Sequence, residues 1–140
     1  MSEQNNNNSF DEIKDKIEDT FEELNNIEDT TALYDPQDIQ NNKVMAILAY
    51  LGILVLVPLL GAKQSPFARF HTNQGLLLII CEIVLSVAVA ILGGIPVIGF
   101  LLKLVRGLGT LALLIIGIVN AANGRAKELP LIGNLFTIIK

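Results

Sequence analysis

Between Lys43 and Lys63 lie nineteen consecutive residues without a charge, VMAILAYLGILVLVPLLGA, and two further stretches of similar character follow. A membrane-crossing helix needs about 20 mainly apolar residues at roughly 1.5 Å rise each. A chain of 140 residues that offers three such stretches has little left from which to build a water-soluble core. The fold class this predicts is an all-α membrane protein with three transmembrane helices, a short interfacial or re-entrant segment and an acidic amphipathic helix in front.

Charge divides the chain in the same way. Residues 1–42 carry twelve acids against Lys14 and Lys16, a charge of −10, whereas residues 43–140 carry eight Lys and Arg against Glu82 and Glu128, a charge of +6. An acidic tail on a basic membrane body is therefore hidden beneath a modest net charge. The amino terminus, MSEQNNNNSFDE, lacks the basic start and short apolar core of a cleavable signal peptide, so insertion is expected to rely on retained spans. Cys81 is the only cysteine, which excludes an intramolecular disulfide.

Two regions follow. Residues 1–34 read as the acidic tail. Asn5–Asn8 is low-complexity polar sequence, read as disordered. After it Phe10, Ile13, Ile17, Phe21, Leu24 and Ile27 recur at helical spacing, and Ser9 with Glu12 forms a capping box. The spacing predicts a helix over 9–29. A membrane-surface helix carries Lys and Arg on its polar face, so this acidic one suits either a solvated spacer or a protein partner, another copy or a basic one.

Residues 35–140 read as the helical membrane domain. Asp35 followed by Pro36 is a favoured helix opening. Spans are expected over about 44–61, 74–94 and 101–122. Pro58 and Gly61 close the first; Gly93, Gly94 and Pro96 break the second. Residues 95–100 are left as the interfacial or re-entrant piece, with Lys103 and Arg106 snorkelling to the interface. The terminal stretch from Gly124 is read as an interfacial segment. Three spans place the acidic tail on one side and both the 61–73 loop and the carboxyl tail on the other. The Lys and Arg bias favours a cytoplasmic loop and carboxyl tail.

Glu82 is the residue that most needs an explanation. An acid near the bilayer centre costs about 2.5–3.5 kcal/mol and marks a functional site by default. It would serve either in an ion or proton relay or as a hydrogen-bonding link between helices. Tyr50, Asn120 and Lys103 are the candidate partners, and Glu82, Tyr50 and Asn120 form the candidate intramembrane polar set. His71 and Gln74 share a face at the start of the second span and are expected to satisfy its exposed amides, with Arg69 beside them able to meet lipid phosphate. A metal site would need more ligands than the single histidine supplies. No catalytic motif, resident metal or cofactor is expected, and nothing points to nucleic acid. Gly107, Gly109 and Gly117 with Ala121 and Ala122 suit close helix packing.

The order of features from Asn42 onward, NKVMAILAY, then the loop FARFHTNQ with Phe67, Arg69, Phe70, His71 and Gln74, then NAANG and LPLIG, resembles a family of small bacterial multispan proteins. That family is grouped with the small multispan subunit of the chloroplast inner-envelope import translocon. The resemblance implies an all-helical membrane fold without catalysis, and its Phe-x-Arg-Phe-His-x-x-Gln block is the candidate interface. The expected function is that of a small accessory or interaction component of a membrane assembly in a bacterial inner membrane. Its partners would be the bilayer and either further copies or a larger membrane protein. The alternative is a transport or protein-translocation component in which Glu82 and Asn120 line a polar path.

Overall fold

In the computed structural model, the described residues are 2–25, 28–135 and 137–139, the side chains of 2–7 and 21–25 excepted. They form helices and turns without a strand. In order these are α1 (Ser2–Asn25), a 3-10 turn (Thr31–Leu33), α2 (Pro36–Leu48), a second 3-10 turn (Gly52–Val55), α3 (Leu56–Gly61), α4 (Pro66–Leu92) and α5 (Pro96–Ala122).

The long helices α4 and α5 form an antiparallel hairpin closed by only Gly93, Gly94 and Ile95. Each has 27 residues, about 40 Å at the helical rise. In the most apolar part of each, only 17% of α4 and 11% of α5 is buried. A soluble protein would hide such helices in its core; here their sides are left for lipid. These two are long and apolar enough to cross a membrane.

Three expectations change at this level. The 67–74 block is not a loop: it forms the first turns of α4, because Pro66 sits at the opening position and Ser65 caps the helix by accepting from the Ala68 amide at 3.0 Å. Residues 96–100 are not a separate interfacial or re-entrant segment, since α5 begins at Pro96 and runs unbroken through Lys103 and Arg106. In the tail, α1 begins at Ser2, so the Asn5–Asn8 run is helical and Ser9 lies within the helix rather than capping it. The helix expected to reach residue 29 ends at Asn25; residues 26 and 27 lie outside those described, and Asp29 forms an isolated bridge with Lys127. Phe10, Ile13 and Ile17 of its stripe are exposed.

The largest change concerns the nineteen uncharged residues. α2 opens as expected, with Asp35 accepting from the Gln37 amide at 2.9 Å, but it stops at Leu48. The chain turns through Gly52, whose φ of +64° is a left-handed conformation open to glycine at little cost. It then returns through α3, bringing Gly61 beside Met45. Asp38 and Asn42 on the way in share a cavity with Leu60–Ser65 on the way out. The segment therefore enters and leaves at one end of the hairpin instead of spanning. Among the described residues two helices, not the expected three, are long and apolar enough to cross a membrane.

Close approach holds this fold-back in place. A methyl group on Gly75 of α4 would overlap the Ala49 carbonyl, and one on Gly117 of α5 would overlap the Tyr50 ring. The break at Ala49–Tyr50 is thus seated between two glycines on opposite helices. Around it Ala46, Ala49, Tyr50, Phe67, Leu78, Ala121 and Leu129 form the core.

Candidate functional site: the polar cap of the hairpin

The start of α4, the end of α5, the fold-back and both flanking segments meet at one end of the molecule. His71 organises this cap. It is fully buried, with Nε2 2.9 Å from the Arg125 carbonyl and Nδ1 2.7 Å from the Tyr50 hydroxyl. A carbonyl only accepts, so Nε2 carries the proton and Nδ1 accepts from Tyr50. The rings of Phe67, Phe70 and Tyr50 stand edge-on to the imidazole at 4.8, 5.2 and 5.7 Å. Every polar edge of the ring is engaged.

Its neighbours on α4 fasten the carboxyl-terminal segment in the same manner. Gln74 accepts from the Leu129 amide at 2.8 Å and donates to the Gly133 carbonyl at 3.1 Å. Asn73 accepts from the Ile138 amide at 2.6 Å and the Ile139 amide at 3.3 Å. Asp38, reaching over from α2, accepts from the Phe67 amide at 3.1 Å and so satisfies an exposed donor of the α4 start. The expectation that His71 and Gln74 cap helix amides gives way to one in which Asp38 and Ser65 cap while His71 and Gln74 hold other segments.

The end of the acidic region is clasped to the same segment. Thr30 donates to the Ala126 carbonyl through its amide (3.1 Å) and its hydroxyl (2.6 Å), while the Ala126 amide donates to the Thr31 hydroxyl oxygen at 3.0 Å. Asp29 accepts from both the amide and the hydroxyl of Thr31. That hydroxyl contact above all, with the Thr31 amide and the nearby Lys127 and Arg125, holds the Asp29 carboxyl below its usual range against the opposing effect of burial. Burial, with Glu128 nearby, pushes the Tyr34 phenol up.

Arg69 is the member of the block that is left over. It lines an open cavity of about 420 Å³ beside the cap, together with Lys63, Tyr34 and Glu128. Asn120 is buried next to this region, but its side-chain nitrogen has no hydrogen-bond partner among the described residues. It does not meet Glu82, and neither does Tyr50.

Glu82 has other partners. Arg106 donates from Nε at 2.6 Å to one carboxylate oxygen and Thr110 from its hydroxyl at 2.8 Å to the other. Both oxygens accept, which is the role of a carboxylate facing a guanidinium rather than of a neutral acid donating to a neighbour. Lys103 lines the same shallow depression. The ion pair lies about ten residues, or roughly 15 Å, from the closed end of the hairpin, and its side chains remain 33% (Glu82) and 39% (Arg106) exposed. The spacing of Lys103, Arg106 and Thr110 by three and four residues put them on one helical face in the sequence. Assigning the two cations to the interface obscured that signal. Among the described residues no group of three metal-binding side chains occurs.

The fold and the cap together define a small helical membrane protein: a two-helix hairpin carrying a folded-back apolar segment, with its polar groups tied into a knot at one end. The chain belongs to the magnetosome magnetite crystal formation protein family, MamF/MmsF, whose pattern matches residues 41–136. The magnetosome protein MamF of Paramagnetospirillum magneticum is 35% identical over 96 residues, 69% of this chain and 83% of MamF. MmsF of the same organism is 35% identical over 89 residues, 64% of this chain and 79% of MmsF. A UPF0132 membrane protein of Methanocaldococcus jannaschii is 28% identical over 91 residues, 64% of this chain and 63% of its own length. No solved structure matches. The matched region takes in the His71 and Gln74 part of the cap, the fold-back and the Glu82–Arg106 pair, and it leaves out α1, the Thr30–Thr31 clasp and Asp38. The small bacterial membrane family expected from the sequence is thus given a name, while the grouping with chloroplast import finds no support among these relatives.

Proposed function

We propose that this chain is a non-enzymatic accessory component of a membrane assembly that serves magnetite crystal formation, the process for which its family is named. One observation of geometry carries the assembly reading. An ion pair at mid-hairpin, with a third of each side chain still exposed, is poorly suited to lipid and well suited to helices of another protein or another copy. The bilayer and such a helical partner are the interactions assigned to the hairpin; α1 with its exposed stripe is offered on the side of the cap. The membrane would be a bacterial inner membrane or one continuous with it. Nothing in this reading requires catalysis, and translocation has no observation in its favour.

The test is complementation. In a magnetosome-forming bacterium lacking MamF and MmsF, the chain is expected to insert into the magnetosome membrane and raise crystal size, measured by electron microscopy. Glu82→Gln is expected to insert but restore less. Full insertion of the unaltered chain with crystals unchanged would remove the magnetite role.

A further inference from the structure

The cavity beside the cap has a composition that the knot of hydrogen bonds does not explain. Its wall brings together two cations, Lys63 and Arg69, with the hydroxyl-bearing Tyr34 and Thr137, the Asn73 amide and one carboxylate, Glu128. Neither Lys63 nor Arg69 has an ion-pair partner among the described residues. The α4 start contributes no free amide at its Phe67 and Ala68 positions, since Asp38 and Ser65 already occupy them; any anion here would be held by side chains. The terminal segment that forms one wall leaves Leu131 80%, Leu135 62% and Ile138 39% exposed, which places the cavity where a polar cap meets an apolar surface.

We propose that this cavity binds the phosphodiester headgroup of an anionic phospholipid, with Lys63 and Arg69 on the phosphate. Two cations against one carboxylate leave a net charge of +1, which matches the single negative charge of a phosphodiester better than the doubly charged free phosphate ion. Arg69 offers the planar fork of donors suited to phosphate oxygens, and Lys63 a mobile point charge. The hydroxyls of Tyr34 and Thr137 and the Asn73 amide surround the remaining polar part of the headgroup. The acyl chains would lie along the unburied apolar sides of the hairpin.

The experiment is lipid competition on the full chain in nanodiscs. Phosphatidylglycerol and phosphatidylcholine of identical acyl chains compete, and the bound fraction is read by native mass spectrometry after release. The unaltered chain is expected to prefer phosphatidylglycerol by about thirtyfold, the combined attraction of two surface cations for an anionic headgroup. Lys63→Ala with Arg69→Ala should bring the preference close to parity, and Lys43→Ala with Arg125→Ala, which removes the same charge at the same end, should keep it. Circular dichroism establishes that both variants are folded; if the double variant is not, Arg69→Gln alone takes its place with a smaller expected drop. Equal loss in both double variants, or no loss in either, would overturn the site. Displacement of the lipid by millimolar inorganic phosphate would overturn the lipid assignment in favour of the free ion.

Discussion

His71 and Tyr50 act as a pair whose value lies in what it fastens. The Tyr50 hydroxyl is the only donor placed to reach His71 Nδ1 among the described contacts of that ring. Tyr50→Phe should therefore leave a buried acceptor unsatisfied and lower the stability of the detergent-solubilised protein by about 1–3 kcal/mol, seen as a fall in its thermal midpoint. Glycine positions give a sharper contrast. Gly75→Ala drives a methyl group into the Ala49 backbone, whereas a methyl group on Gly107 meets nothing within 4 Å. The first should cost about 1–3 kcal/mol or more through overpacking, and the second should be neutral or mildly stabilising through helix propensity. Equal effects would mean that the fold-back does not rest against α4. At this scale the sequence grouped Tyr50, Asn120 and Glu82 as one polar set, whereas the structure pairs Tyr50 with His71 and Glu82 with Arg106 and Thr110. Tyr50 and Glu82 both stood out as polar groups in apolar surroundings, but which polar group meets which is decided by chain reversal over 21 residues in one case and 24 in the other, and periodicity carries no such information.

Among the elements, α4 and α5 were legible because a long uncharged run with helical spacing has few alternatives in a bilayer. The start of α4 was placed at about residue 74 instead of Pro66, because the basic residues of 61–73 suggested a loop and the Ser65–Pro66 opening went unread. The fold-back was not legible: Gly52 is one of two glycines in nineteen uncharged residues, and the glycines that receive the break lie on other helices. The Glu82–Arg106 link between α4 and α5 should be strongly coupled. Glu82→Gln and Arg106→Gln each strand a partner in the span, so either alone should destabilise more than the double variant does; thermal unfolding in nanodiscs measures this, and strict additivity would rule out the pairing. The clasp between residues 29–31 and Ala126 carries its own pH dependence. The Asp29 carboxyl is held below its unfolded value of 3.8, so its contribution is complete above that pH and disappears as pH falls through the lower folded value. The Ala126 amide signal in an acid titration by NMR should shift only below that range, and Asp29→Asn should abolish the step.

For the molecule as a whole, replacing a third span by a fold-back changes which parts share a side. A three-span chain separates the acidic tail from the carboxyl tail, but Thr30 and Thr31 are hydrogen-bonded to Ala126, and a bilayer cannot lie between bonded groups. Lys43, Lys63, Arg69, Arg125 and Lys127 then all gather at the cap end, against Lys103 and Arg106 in the half of α5 nearer the closed end, and the Lys and Arg bias predicts a cytoplasmic cap. The acidic α1, the headgroup cavity and the knot around His71 would all address the same compartment. Cysteine labelling in sealed vesicles of both orientations tests this most directly, with Asn8→Cys, Lys63→Cys and Arg125→Cys each placed in a Cys81→Ser background. The expected result is that a membrane-impermeant reagent reaches all three from the same face; labelling of position 8 from the face opposite to 63 and 125 would restore the third span and contradict the fold-back.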